Sequence, residues 1–182
     1  MFTFKELAIG IAGATLLAAC ATQMKDPATA SRGPGLGRAA STEEIGPWDI
    51  SIPPSGERLP AGSGSVTQGA TVYAAKCQSC HGEKGAGKPA DPLVGGIGTL
   101  ASPNPVRTVG SYWPYATTLF DYVRRAMPTT APMSLTNEEV YAVSAYILHL
   151  SGIVAADAVM NAQTLPKVRM PNRDGFVDYS RK

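Results

Sequence analysis

The chain has 182 residues, of which 19 are glycine, 15 proline, 44% hydrophobic and 16% charged. That length suits one domain with tails and argues against a multidomain enzyme. Sixteen Lys and Arg against fourteen Asp and Glu leave a net charge of +2, far below the basic excess with which a protein neutralises many phosphates, so the composition argues against nucleic acid as a partner.

In chain order, the N-terminus carries Lys5 and Glu6 and then an apolar stretch over residues 7–19, too short for a helix that spans a bilayer. A charged start, a short apolar middle and small residues at its end predict a signal peptide over residues 1–19. It closes on Leu17-Ala18-Ala19-Cys20, which resembles the bacterial lipobox. The resemblance implies that the Cys20 thiol receives lipid and that Cys20 becomes the mature N-terminus. Ordinary cleavage that leaves a free Cys20 is the alternative. Ala21 stands where an Asp would redirect sorting, and the same resemblance then implies the outer membrane. Residues 20–44 are Ala, Thr, Ser, Gly and Pro with scattered charge, a composition that cannot bury enough surface to offset its ordering entropy. They read as a flexible tether with an end-to-end distance of about 25–30 Å. Residues 45–64 place Trp48, Ile50 and Ile52 among Pro47, Pro53, Pro54 and Pro60 and read as an extended arm lying against the folded part.

Three helices follow. Ser65-Val66-Thr67-Gln68 is a capping-box pattern opening a helix that runs to about Cys77, with Gly69 and Tyr73 on one face. Trp113-Pro114 puts proline at a first helical position, and Leu119, Phe120 and Val123 then form a buried stripe. That helix ends at Met127, because the residue before Pro128 is pushed out of the α region. Thr136-Asn137-Glu138-Glu139 is a second capping box with acidic residues where the helix dipole favours them, and Val140, Val143, Ile147 and Leu150 recur at helical spacing until Gly152. Almost no strand pattern competes, so the fold class is all-α with long loops.

The chemistry sits at Cys77-Gln78-Ser79-Cys80-His81, directly after the first helix. Two thiols at this spacing can add across the two vinyl groups of haem and hold the next imidazole under the iron, which in an exported chain is the attachment signal for c-type haem. A thioredoxin-like pair wants a βαβ setting, and a zinc site wants two further ligands where only His149 remains. One motif means one covalent haem. Lipid on Cys20 and thioethers on Cys77 and Cys80 use all three cysteines.

The sixth ligand decides what the haem does, since a thioether raises the potential while an open site permits small-molecule binding. Met127, Met133, Met160, Met170 and His149 lie downstream. Met127 and Met133 are both mounted beside a proline, and the residues alone leave both open, each also readable as a gap-filling core methionine. His149 reads as a surface or half-buried residue near a helix end. The backbone carbonyl of Pro92 is placed to accept from the Nδ1–H of His81 and fix its tautomer. Tyr112, Trp113 and Tyr115 form an aromatic cluster that could cover a haem edge or serve as core. Lys76, Lys84, Lys88, Arg107, Arg124 and Arg125 outnumber the acids around the motif, a positive rim that could steer an acidic redox partner or be a solvated face.

Residues 65–152 resemble a class I cytochrome c: Gly69 and Tyr73 ahead of Cys-x-x-Cys-His, a Pro-Leu turn, Ala126-Met127-Pro128, and a last helix with Tyr146. The resemblance implies a single cytochrome c domain between an extended N-terminal arm and an irregular C-terminal tail over residues 153–182. It implies contact of Gly69 and Tyr73 with Val143 and Tyr146, and it puts the axial methionine at Met127. A narrower resemblance runs through Trp48-Asp49-Ile50, Leu59-Pro60-Ala61-Gly62-Ser63-Gly64, residues 108–116, Arg124-Arg125-Ala126-Met127-Pro128, Ser134-Leu135-Thr136, Glu139-Val140-Tyr141-Ala142 and residues 170–176. These are similar to the cytochrome c subunit of the Sox sulfane dehydrogenase and of related sulfite dehydrogenases. The resemblance implies a partner subunit with a molybdenum cofactor and a downstream cytochrome c or oxidase as acceptor. The chain departs from that family in carrying one haem motif where the best-known members carry two, and in its lipoprotein start. Residues 155–182 show no core pattern, and Met170 to Phe176 are expected to help dock the partner.

The reading is therefore a periplasmic, lipid-anchored electron-transfer subunit and not itself an enzyme. The alternatives are a general carrier for another dehydrogenase, a haem enzyme with an open sixth position, and a redox or gas sensor, for which no signalling domain is visible.

Overall fold

The computed structural model describes residues 37–181, so the predicted signal peptide, Cys20 and most of the predicted tether lie outside the described residues. The chain divides after Pro47 into two units. Within the first, one helical turn, α1 (Thr42–Ile45), starts at Ser41, whose hydroxyl accepts from the Glu44 N–H while the Glu44 carboxylate accepts from the Ser41 N–H. Arg38 pairs with the same carboxylate and holds it down to about 2.

From Trp48 onward the order is β1 (Ser63–Ser65), α2 (Val66–Lys76), α3 (Gln78–His81), α4 (Val109–Tyr112), α5 (Ala116–Ala126), α6 (Asn137–Leu150) and β2 (Val159–Asn161), with short 3₁₀ turns at Glu83–Gly85 and Leu165–Lys167. Among the described residues no helix is long and apolar enough to cross a membrane. The class is all-α, as the sequence predicts. Both predicted capping boxes form: Ser65 with Gln68 opens α2, and Thr136 with Glu139 opens α6. Beside these and the Ser41 box of α1, a further box, Thr108 with Ser111, opens α4. It escaped prediction because serine, not Glu or Gln, stands at its fourth position. Pro114 does not enter α5 as expected, since the N-cap is Tyr115.

The centre of the core is α6, buried nearly all round through Val140, Tyr141, Val143, Ala145, Ile147 and Leu148. A helix apolar on every side must be surrounded, and α2, β1, α5 and β2 all pack on it. Its crossing with α2 is set by absent side chains. A Cβ on Gly69 would lie 1.9 Å from the Ala142 carbonyl oxygen and 2.7 Å from the Tyr146 Cβ, and one on Gly64 would lie 2.2 Å from the Ala142 nitrogen. The nearest neighbour of Gly69 is thus Ala142, one residue before the expected Val143. Tyr73 meets Tyr146 as expected, ring centroids 5.4 Å apart. On the other side Phe120 of α5 sits 4.4 Å from the Tyr141 ring.

The segments flanking the helices complete this core. β1 pairs antiparallel with β2, Gly64 opposite Met160, and Met160, Leu165 and Met170 are all buried. The run after residue 155 therefore contributes a strand and three core side chains, despite having no periodic pattern to announce them. The arm packs through Ile52, which is buried, whereas Trp48 is 85% exposed. The Ile52 N–H donates to the Asp121 carboxylate at 3.1 Å, whose other oxygen pairs with Arg125. Thr117 donates to the Pro54 carbonyl, and the Tyr141 hydroxyl to the Pro60 carbonyl at 2.8 Å; burial pushes that phenol up to about 12. Asp121→Ala is expected to leave a buried N–H without a partner, at a cost of about 1–3 kcal/mol. Urea denaturation should record the loss, and faster proteolysis between residues 48 and 60 should show that the arm is what comes loose.

Candidate haem-binding site

The first thiol is the last cap of a helix. Cys77 closes α2 with its N–H bonded to the Tyr73 carbonyl, breaks the helical path at φ −125°, and is followed by the single turn of α3, which carries Cys80 and His81. Cys77 is half-buried and packs against the core, while Cys80 is exposed. Burial pushes the Cys77 thiol up to about 11, with Lys76 opposing the shift, so it is a neutral thiol at physiological pH. The two cysteines are not joined to each other.

His81 is held by the loop that follows it. Its Nδ1 lies 3.1 Å from the Asp91 carbonyl oxygen. A carbonyl can only accept, so the proton sits on Nδ1 and the Nε2 lone pair is left for a metal. The expected acceptor was Pro92, and the correction to Asp91 shifts the contact by one residue. The offset follows from the loop's register, in which Gly87 N–H donates to the His81 carbonyl, Ala90 N–H to the Cys80 carbonyl, and Leu93 N–H to the Gly85 carbonyl. Gly82 makes the turn possible: it has φ +73°, and a Cβ there would lie 2.3 Å from the Gly87 carbonyl oxygen.

Tyr73 adds a brace from below that sequence reading did not find. Its side chain is buried and its hydroxyl donates to the Gly82 carbonyl at 2.8 Å, tying α2 to the residue after His81. Burial holds this phenol above its ordinary range. Tyr73→Phe keeps the ring and removes the bond. The expected loss is about 1 kcal/mol, read as an earlier thermal melt with the fold retained by circular dichroism.

The candidate ligands separate clearly. Met127 is the C-cap of α5, extended at φ −121° and ψ 142°, half-buried and packed on the core. Met133 is 59% exposed, with φ +61°. Met160 and Met170 are core residues. His149 is half-buried with its Nδ1 3.1 Å from the Val154 carbonyl oxygen. Cys20 lies outside the described residues.

The charged rim is smaller than composition suggests. Lys76 pairs with Glu139 at 2.6 Å and Arg125 with Asp121. Lys84, Lys88, Arg107 and Arg124 make no ion pair among the described residues. The three aromatic rings do not gather into one cluster: Tyr112 packs on Phe176, Trp113 on Tyr122, and Tyr115 under the Arg173 guanidinium.

This donor set fits covalent haem: two unpaired thiols with two residues between them, an imidazole whose Nδ1–H is held so that Nε2 is left to bind a metal, and a thioether at the end of α5. The Cytochrome c family model matches residues 66–151. A chain in the crystal structure of the sulfane dehydrogenase SoxCD from Paracoccus pantotrophus is 42% identical, with a TM-score of 0.75 over 81% of this chain and 73% of that one. The chain belongs to the cytochrome c family, an electron-transfer class whose attachment motif implies covalently bound haem c. The particular protein it is similar to is that sulfane dehydrogenase. No curated protein sequence matches significantly.

Proposed function

We propose that the chain is a periplasmic monohaem cytochrome, anchored by lipid on Cys20, that takes single electrons from a molybdenum sulfane or sulfite dehydrogenase subunit and passes them to a downstream cytochrome c or oxidase. The observation that carries this reading is the 42% identity with a chain of the SoxCD structure across 81% of this chain, a wider share than the 66–151 family match. Bound haem c supplies the one-electron iron couple. In this reading Cys77 and Cys80 would carry the covalent attachment, the His81 ring, held through Asp91, would bind the iron, and the Met127 sulfur would be its further protein ligand. What favours Met127 over Met133 is its half-buried position on the core at the end of an eleven-residue helix. A ligand mounted in this way moves little when the charge on the metal changes, which keeps reorganisation small.

The test is an affinity pull-down of the mature protein from membranes, assayed for molybdenum and for haem reduction driven by sulfite or thiosulfate. Co-purifying molybdenum with sulfur-dependent reduction is expected. Reduction by no sulfur donor would replace this reading with a general carrier. Material that is not membrane-associated, or that carries no lipid on Cys20, would remove the anchor.

A further inference from the structure

We propose that Arg107, Tyr112, Tyr115, Arg173 and Phe176 form the docking surface for the electron-donating dehydrogenase subunit, and that this surface recognises a carboxylate-bearing patch on that protein. The inference rests on the function proposed above and adds where the partner sits and what chemistry it presents.

The segment after the core is pinned at its start and leaves its end on the surface. Met170 is 1% exposed and plugs the core, while Phe176 is 51% exposed. Between them the Asn172 amide donates to the Tyr112 carbonyl at 2.7 Å, and the Arg173 guanidinium lies 4.3 Å from the Tyr115 ring centroid. Phe176 meets the Tyr112 ring edge-on at 5.2 Å, and Arg107 lies 5.6 Å above that same ring. Rings and guanidiniums held in this way lose little freedom when a partner arrives, which is where binding energy is otherwise spent.

Charge selects the partner. Arg58, Arg125 and Arg169 are each paired with an aspartate, and Asp174, the carboxylate next to Arg173, is already taken by Arg169. Arg107 and Arg173 have no carboxylate in pairing distance among the described residues. Both stack on tyrosine, leaving their N–H edges for an incoming acid. Exposed aromatics beside arginine are the composition from which interface hot spots are built. A second copy of this chain would bring two more unpaired arginines to an isologous contact and be repelled. The surface is also tied to the haem-attachment loop: the Val109 N–H, at the start of α4, donates to the Leu93 carbonyl, and the Leu93 N–H to the Gly85 carbonyl.

To test this, the molybdenum-containing fraction that co-purifies with the holo-cytochrome is released in high salt and rebound to immobilised wild-type and variant holo-protein. Arg107→Glu with Arg173→Glu, and separately Phe176→Ser, should each weaken rebinding about tenfold or more, and wild-type rebinding should fall with ionic strength. Haem content and melting temperature should be unchanged; if the double variant melts early, Arg107→Glu alone carries the test, since that side chain is exposed. Arg107→Lys with Arg173→Lys, which keeps the charge and loses the planar stack, should fall between wild type and the charge reversal. Undiminished rebinding of the glutamate and serine variants overturns the proposal and leaves the proposed function standing. Failure of the wild type to bring down any molybdenum overturns both. Sedimentation with phosphatidylglycerol vesicles, lost in these variants while protein rebinding is kept, would reassign the surface to lipid.

Discussion

Gly69→Ala is expected to abolish folding of the holo-protein at ordinary growth temperature. The added Cβ would sit 1.9 Å from the Ala142 carbonyl oxygen and 2.6 Å from its carbonyl carbon, both backbone atoms of the central helix. Neither can rotate aside, so α2 and α6 must separate. Overpacking a core by one methyl costs about 1–3 kcal/mol where side chains can adjust, and here they cannot. The separation also spreads to Tyr73 and Tyr146, which pack one turn further along, and so to the brace on Gly82. The measurement is the yield of soluble, haem-containing protein and its urea midpoint beside wild type. Ala142→Gly in the same chain does not relieve the clash, since the colliding atoms are backbone; a rescue by that second change would disprove the mechanism.

Met127→Ala has the largest expected effect on the chemistry while sparing the fold. The side chain is half-buried, so its loss costs less stability than that of a core methionine such as Met170. A thioether opposite imidazole raises the potential of the couple, and axial ligation as a whole moves haem potentials over about 0.8 V. The variant's potential should drop on the order of 100 mV, equivalent to about 2 kcal/mol for one electron. The oxidised protein should lose the sulfur-to-iron charge-transfer band, and the reduced protein should bind carbon monoxide. A variant with the wild-type potential and band would transfer the ligand's role to Met133. The exposure of Met133, 59%, makes Met133→Ala the matched control, expected to be silent in all three measurements.

What could be read from the sequence was what local chemistry decides. Ser65 with Gln68 and Thr136 with Glu139 start helices because their side chains satisfy nearby backbone groups, and a reader needs only four residues to see it. The end of α5 at Met127 follows from one proline. The haem-attachment pentapeptide carries its chemistry in its spacing. Contacts made at long range were not legible. Met160, Leu165 and Met170 fall at intervals of five with no helical or strand period; the pairing of β2 with β1 places the first, and the 3₁₀ turn that packs on α5 places the second. The role of Asp121 is not legible either, because nothing near it in the chain announces that Ile52, 69 residues earlier, will donate to it. The choice of Asp91 over Pro92 as the acceptor for His81 is a matter of loop register, below the resolution of any motif.

The ribbon formed by Ser63–Ser65 and Val159–Asn161 has a practical meaning for anyone moving this domain into another protein. A graft cut at the borders of the family match, residues 66–151, would leave behind the strand that seats Gly64 on Ala142 and every tail residue that closes the hydrophobic interior. Cuts before Trp48 and after Phe176 keep these contacts. The stretch that the family model covers and the stretch that closes the core have different lengths, and only the longer one carries its own packing with it.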